Sequence, residues 1–202
     1  GFDIEMQKQK DRSKTAAKIT TSDWQVLIED EDNIDALRFM GILAFKSGNH
    51  DIAEAMLTRA LKQDPTYSLA WANLAQVFSV TGQLDKAQKS FTNILKMEPK
   101  NGLIWAEYGT VLTKLANYEA GKDAYLKAIE FKPNSPRVHL SLGHVYKTIG
   151  DIDNSIESYK KTISYNEKSG EAYWSLANLK TYSFEDEEIR DMEEKLNSGI
   201  PD

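Results

Sequence analysis

The chain has 202 residues, 31 acidic against 25 basic side chains, a net charge of −6 and no cysteine. That length suits one ordinary domain or a short array with its own apolar core, and the missing cysteines exclude a disulfide framework, Cys-based zinc or iron–sulfur sites and thiol catalysis. No apolar run approaches the ~18 residues of a membrane span, and the first residues are charged rather than signal-like, so the sequence reads as soluble and cytoplasmic.

Residues 1–18 form a charged segment with five basic and three acidic groups. Residues 19–33, from Trp24 to Ile28 and the acidic Glu29 to Asp32, look like the second helix of a degenerate half repeat. From residue 34 onward the chain repeats itself at a spacing of 34. Gly41, Ala75, Gly109, Gly143 and Ala177 mark the period. Ahead of the marks stand Leu37, Trp71, Trp105, His139 and Tyr173, and immediately before them Met40, Leu74, Tyr108, Leu142 and Leu176. Behind them come small residues (Ala53, Ala87, Gly121, Ser155), then large ones (Leu57, Phe91, Tyr125, Tyr159), then Pro65, Pro99 and Pro133, with Glu167 breaking the proline series.

Within a period the apolar residues fall at helical spacing in two runs, separated by a turn at Gly48, Gly82, Ala116 or Gly150. Each unit is therefore a helical hairpin. Paired small residues let its two backbones approach, and the proline stops the second helix. The units run over 34–67, 68–101, 102–135 and 136–169. A first helix of a partial fifth unit follows in 170–182, running from Gly170 to about Thr181. Residues 183–202 read as an acidic capping helix and tail, with Ser183 and Asp186 as its N-cap pair and Ile189, Met192 and Leu196 on its apolar side.

This pattern closely resembles the tetratricopeptide repeat. The resemblance implies an all-α fold, a right-handed α-solenoid of antiparallel helix pairs with four full repeats and flanking half repeats. It also implies a non-catalytic protein–protein interaction module that takes a protein or peptide ligand in a groove lined by the first helices. The inward positions implied by the family are Arg38, Ile42 and Phe45 in the first unit, Gln76 in the second and Thr110 in the third. In the fourth they are Arg137, Leu140, His144 and Lys147, and in the fifth Trp174 and Asn178. Leu69 and Leu103 share such positions but are expected to be covered by the adjacent repeat. Trp174 follows Tyr173, so only one of the two rings faces inward. The family's two-carboxylate clamp is not expected: Arg38 and Asn73 match it, but Ile42, Leu103 and Glu107 stand where its other donors belong, and a tail carboxylate would be desolvated unpaired.

Motifs that carry chemistry fail on spacing. His139 holds the place of Trp71 and Trp105 and reads as a packing residue, and His144, five residues on, does not share a metal-binding face with it. Asp151-x-Asp153-x-Ser155 lacks the glycine and the final glutamate of a calcium loop, with Ile156 and Thr162 in their places. Lys46-Ser47-Gly48 and Lys168-Ser169-Gly170 fall at turns of the repeat rather than between a strand and a helix. No basic face is evident, which argues against nucleic acid, and no cofactor or catalytic residue is expected. The stretch from Ser169 to Ile189 is similar to the junction that precedes the catalytic domain in bacterial tetratricopeptide–sulfotransferase proteins. That likeness implies that the chain is the amino-terminal interaction part of a longer protein. Self-association through an uncovered end face is a further expectation.

Overall fold

The computed structural model describes residues 33–197, with side chains to residue 194. The charged segment 1–18, all but the last residue of the half repeat 19–33, the side chain of Leu196 and the tail from 198 lie outside the described residues. Ten helices are present among the described residues: α1 (Ile34–Lys46), α2 (His50–Gln63), α3 (Ser68–Val80), α4 (Leu84–Met97), α5 (Gly102–Lys114), α6 (Tyr118–Phe131), α7 (Pro136–Ile149), α8 (Ile152–Tyr165), α9 (Gly170–Ala177) and α10 (Asp186–Asn197). No strand occurs among the described residues. The fold is all-α, of the tetratricopeptide solenoid type, and among the described residues no helix is long and apolar enough to cross a membrane. The chain divides into two compact units, residues 1–77 and 78–202.

In the first unit α1 packs along α2. Asn33 caps α1, its side-chain oxygen accepting from the amides of Asp35 and Ala36 at 3.0 Å. The hairpin closes tightly because Gly41 has no side chain: a Cβ there would lie 2.7 Å from Leu57 Cγ. Leu57 and Ala53, the residues behind the mark, are fully buried.

In the second unit each of α5 to α9 packs on the helix before it, with α4 on α5, so the core is a row of local contacts rather than one centre. Gly109 and Gly143 repeat the Gly41 device for larger partners. Added Cβ atoms would lie 2.9 Å from the Tyr125 ring and 2.5 Å from the Tyr159 ring. Asn101 and Asp151 cap α5 and α8 through their side-chain oxygens, so Asp151 serves a helix end and not a calcium loop.

The turns inside the hairpins use left-handed backbone. Gly48, Gly82 and Gly150 have φ of +77°, +75° and +86°, and Ala116 takes the same place at +59°. Alanine is strained there, by about 1 kcal/mol relative to glycine. Ala116→Gly is therefore expected to raise stability by about 1 kcal/mol in a denaturant titration; a loss would show that the Ala116 methyl contributes packing.

The carboxyl end departs from the sequence reading at two points. Helix α9 stops at Ala177 instead of continuing to about Thr181. The Asn178 amide donates to Trp174 O at 3.0 Å, and the chain then turns so that Leu179, Tyr182 and Phe184 join the Tyr159–Leu176 cluster. Helix α10 is capped around Glu185 rather than Ser183, because Glu188 Oε2 accepts from the Glu185 amide at 3.0 Å. The Tyr182 hydroxyl donates to the same carboxylate at 2.6 Å and Lys160 Nζ lies 3.2 Å away. Burial opposes ionisation of Glu188, but these hydrogen bonds and the Lys160 charge outweigh it and hold the carboxyl below its usual range.

Candidate functional site

Three first helices of the second unit, α5, α7 and α9, are joined by polar pairs that cross from each to the next. Arg137 Nη2 of α7 lies 3.8 Å from Glu107 Oε1 of α5, and His144 Nε2 of α7 lies 3.4 Å from Glu171 Oε1 of α9. Both pairs are largely exposed, so each contributes on the order of 0 to 1 kcal/mol. Their main effect is to set the charge pattern: Glu107 offsets the arginine, Glu171 faces the histidine ring, and Lys147 stands exposed on the same helix.

The histidine is fixed from behind. The Tyr159 phenol is buried, which pushes its pKa up and keeps it protonated. In the imidazole tautomer protonated at Nε2, the atom facing Glu171, the phenol donates to His144 Nδ1 at 2.9 Å. One repeat earlier Thr110 Oγ1 meets the Tyr125 hydroxyl at 3.1 Å. In both hairpins a tyrosine of the second helix reaches past the glycine mark to orient a polar residue of the first. In the sequence these tyrosines stand only as large residues of the repeat; a hydroxyl at a position where Leu57 and Phe91 have none was the available signal.

Apolar surface stands beside this polar row. Trp174 is 66% exposed, whereas Tyr173 is half-buried, which decides which ring points outward. Leu103 is 59% exposed and Leu69, in the first unit, is also exposed. The expectation that an adjacent repeat covers these two leucines is therefore corrected. Leu140 is half-buried against the Tyr159–Leu176 cluster, and Asn178 spends its amide on Trp174 O.

In the first unit Arg38 is engaged within the fold. Arg38 Nε donates to Tyr67 Oη at 2.7 Å, Tyr67 donates to Asp35 Oδ1 at 2.5 Å, and the guanidinium lies 4.3 Å from the Phe39 ring centroid. Burial, followed by the bond to Asp35, pushes the Tyr67 phenol far above its usual range, so it remains a donor at any physiological pH. Arg38 thus ties α1 to the connection between α2 and α3. Ile42 is half-buried, Phe45 is half-buried with its ring 5.5 Å from His50, and Gln76 is exposed on α3.

His139 performs the structural role of the tryptophans it replaces. Trp71 Nε1 donates to Pro65 O at 2.9 Å, Trp105 Nε1 to Pro99 O at 2.8 Å, and His139 Nε2 lies 3.0 Å from Pro133 O. A carbonyl only accepts, so the His139 proton resides on Nε2. Burial lowers the His139 pKa, and the carbonyl offsets part of that. The unfolded chain then binds a proton at the ordinary value of about 6.5 and the folded chain only at lower pH. The contribution is fully present above the unfolded pKa and is lost as pH falls through it toward the folded value. Acidification from neutral pH is expected to lower the Tm of the parent more than that of His139→Trp, which keeps the tie without the titration. Equal losses in the two proteins would place the acid sensitivity elsewhere.

No group of residues suited to a metal ion occurs among the described residues. The face offers apolar anchors, paired charges and oriented hydrogen-bond groups, the equipment of recognition.

Two family models described as tetratricopeptide repeat match residues 44–90, and residues 103–135 and 136–169, together more than half of the chain. No curated protein matches the chain by sequence. Among solved structures, one of MamA protein is 22% identical, with a TM-score of 0.70 over 81% of this chain and 90% of that one. A MamA RS-1 double mutant reaches a TM-score of 0.73 at 16% identity, covering 83% and 97%. YrrB, described as a TPR protein with an unusual peptide-binding site, gives 0.67 at 16% identity over 86% and 90%. At such identities the structural likeness is one of fold, and with the sequence matches to the repeat itself, the chain belongs to the tetratricopeptide repeat family.

Proposed function

We propose that the chain is a non-catalytic interaction module that holds an extended peptide or a helix of a protein partner on the α5–α7–α9 face. The observation that carries this reading is Trp174, a tryptophan 66% exposed beside a row of oriented polar groups. An exposed indole is costly to leave in water and well suited to insertion between partner side chains. The partner is a segment of mixed acidic and apolar character. Arg137 and Lys147 lie on one helix face, ten residues and nearly three turns apart, and draw acidic side chains, while Trp174 and Leu140 receive apolar ones. The peptide-binding site named for YrrB supports a peptide ligand for a fold of this kind. A protein partner in the cytoplasm, rather than nucleic acid, suits a face in which carboxylates neighbour the cations.

For a peptide or partner found to bind, Trp174→Ala with Arg137→Glu is expected to weaken the equilibrium affinity roughly 30-fold or more, mostly through the indole, the equivalent of about 2 kcal/mol. Arg137→Glu alone acts chiefly on the association rate and its salt dependence. A ligand indifferent to the double change binds another surface, and the proposal fails.

A second reading rests on the sequence of residues 169–189: the array recruits a substrate protein for a sulfotransferase domain encoded downstream. The source gene decides it, by the presence or absence of a strand–loop–helix phosphosulfate site after codon 202.

A further inference from the structure

Helix α10 starts sixteen residues after α9 starts, the offset that separates α2 from α1, α4 from α3, α6 from α5 and α8 from α7. Its side chains do not suit that register. Ile189 falls where Ala53, Ala87, Gly121 and Ser155 let two backbones approach, and Glu193 falls where Leu57, Phe91, Tyr125 and Tyr159 fill the hairpin. A glutamate in that place would be desolvated without a partner. Accordingly none of residues 186–194 is buried and Ile189 is 41% exposed, whereas α8 buries Ser155, Ser158, Tyr159 and Thr162. Helix α10 is held at Glu188 instead, through the Tyr182 hydroxyl and Lys160.

A cavity of about 230 Å³ is left between α8, α9 and α10. Ile163 of α8, Leu176 of α9 and Phe184 of the connecting segment are among its walls, and the polar side chains Lys160, Ser164, Glu188 and Asp191 border it. That volume is below the ~300 Å³ at which pockets for drug-sized ligands begin, and it suits a single large side chain. Water inside would meet apolar walls and gain few hydrogen bonds, so its replacement by an apolar group is favourable. The charge around the opening selects what may flank that group. Lys160 is opposed by Glu188 at 3.2 Å, and α10 carries six carboxylates against Arg190 between residues 186 and 194. Cations are drawn to such a border and anions are turned away.

We propose that this cavity is a second docking site, separate from the α5–α7–α9 face, and that it takes one aromatic side chain of a partner protein segment in which lysine or arginine flanks the ring. The ring enters between Ile163, Leu176 and Phe184, with Phe184 offering an edge-on aromatic contact, and the flanking cations lie along the carboxylates of α10. The site does not depend on the reading given to the other face.

The probe is a pentapeptide, acetylated and amidated, with tryptophan at its centre between two pairs of basic residues. It is titrated into the full chain and followed by NMR at the Ile163 and Leu176 methyls and the Phe184 ring. Saturable shifts at these groups are expected, and an alanine at the centre of the peptide should weaken binding about 30-fold or more. In the protein, Ser164→Trp changes an exposed residue at the border and puts an indole into the opening. It should abolish peptide binding with helicity and Tm retained. Asp191→Lys with Glu194→Lys should weaken binding about tenfold and flatten its salt dependence. Equal affinity for the tryptophan and alanine peptides overturns the proposal, since charge attraction alone would then explain the binding; this comparison decides even where Ser164→Trp does not fold. Shifts confined to α10, or unchanged affinity in a folded Ser164→Trp, also overturn it. So does movement of the same methyls on raising the protein concentration without peptide, which would place a second copy in the cavity.

Discussion

Tyr159→Ala is expected to lower the stability of the second unit by about 4 kcal/mol, at the upper end of what single substitutions do. The ring is fully buried and forms a cluster with Leu176 and Leu179. It fills the space that Gly143 leaves open, so close that even a methyl on residue 143 would meet the ring carbons at 2.5 Å. Collapse around the truncated side chain is limited, because the hairpin backbones are already in contact at Gly143 and Ser155, whose Oγ donates to Gly143 O at 2.9 Å. Most of the deleted volume therefore remains as cavity. Tyr159→Phe separates the hydroxyl from the ring. It should cost only about 1 kcal/mol, since half-exposed His144 can replace the lost partner with water. Both values come from denaturant titration; similar costs for the two variants would mean that the hydroxyl and not the packing holds the hairpin.

Trp105→Ala should cost about 3 kcal/mol, for a different reason. This indole is only half-buried, but it lies where α5 meets the next hairpin, against the Tyr125, Val138 and Leu142 cluster, and its N–H ties down Pro99 O. In a row of nearest-neighbour contacts the loss falls on one junction. The expected signature is a lower midpoint together with a broader transition, as the parts on either side begin to unfold separately. A transition that shifts without broadening would show that coupling across this junction is stronger than the local packing implies.

The repeat made much of the fold legible, because the same positional demand recurs and self-comparison isolates it. Small residues at Gly41 and Gly143, turns at Gly48 and Gly150, and prolines such as Pro99 each answer a backbone requirement that sequence states directly. What sequence left open concerns side chains that meet across repeats. Glu107 and Arg137 are 30 residues apart in the chain, and nothing local announces their pairing. The exposure of Leu103 is set by the neighbouring units, and at the early end of α9 the chain turns after Asn178 so that Leu179 and Tyr182 join the cluster around Tyr159. His139 was read as a packing residue, and its bond to Pro133 O gives that reading its chemical content.

The ring-to-proline tie spans only six residues at each of its three occurrences. Such a contact closes a very short loop and needs nothing from distant parts of the chain. During synthesis on the ribosome, each tie can form within about a second of its ring leaving the exit tunnel, at ordinary elongation rates of about 5–20 residues per second. The nascent polypeptide is thereby secured hairpin by hairpin as it emerges, and at any moment only the most recent helix presents an unmatched apolar side to chaperones and to other nascent chains.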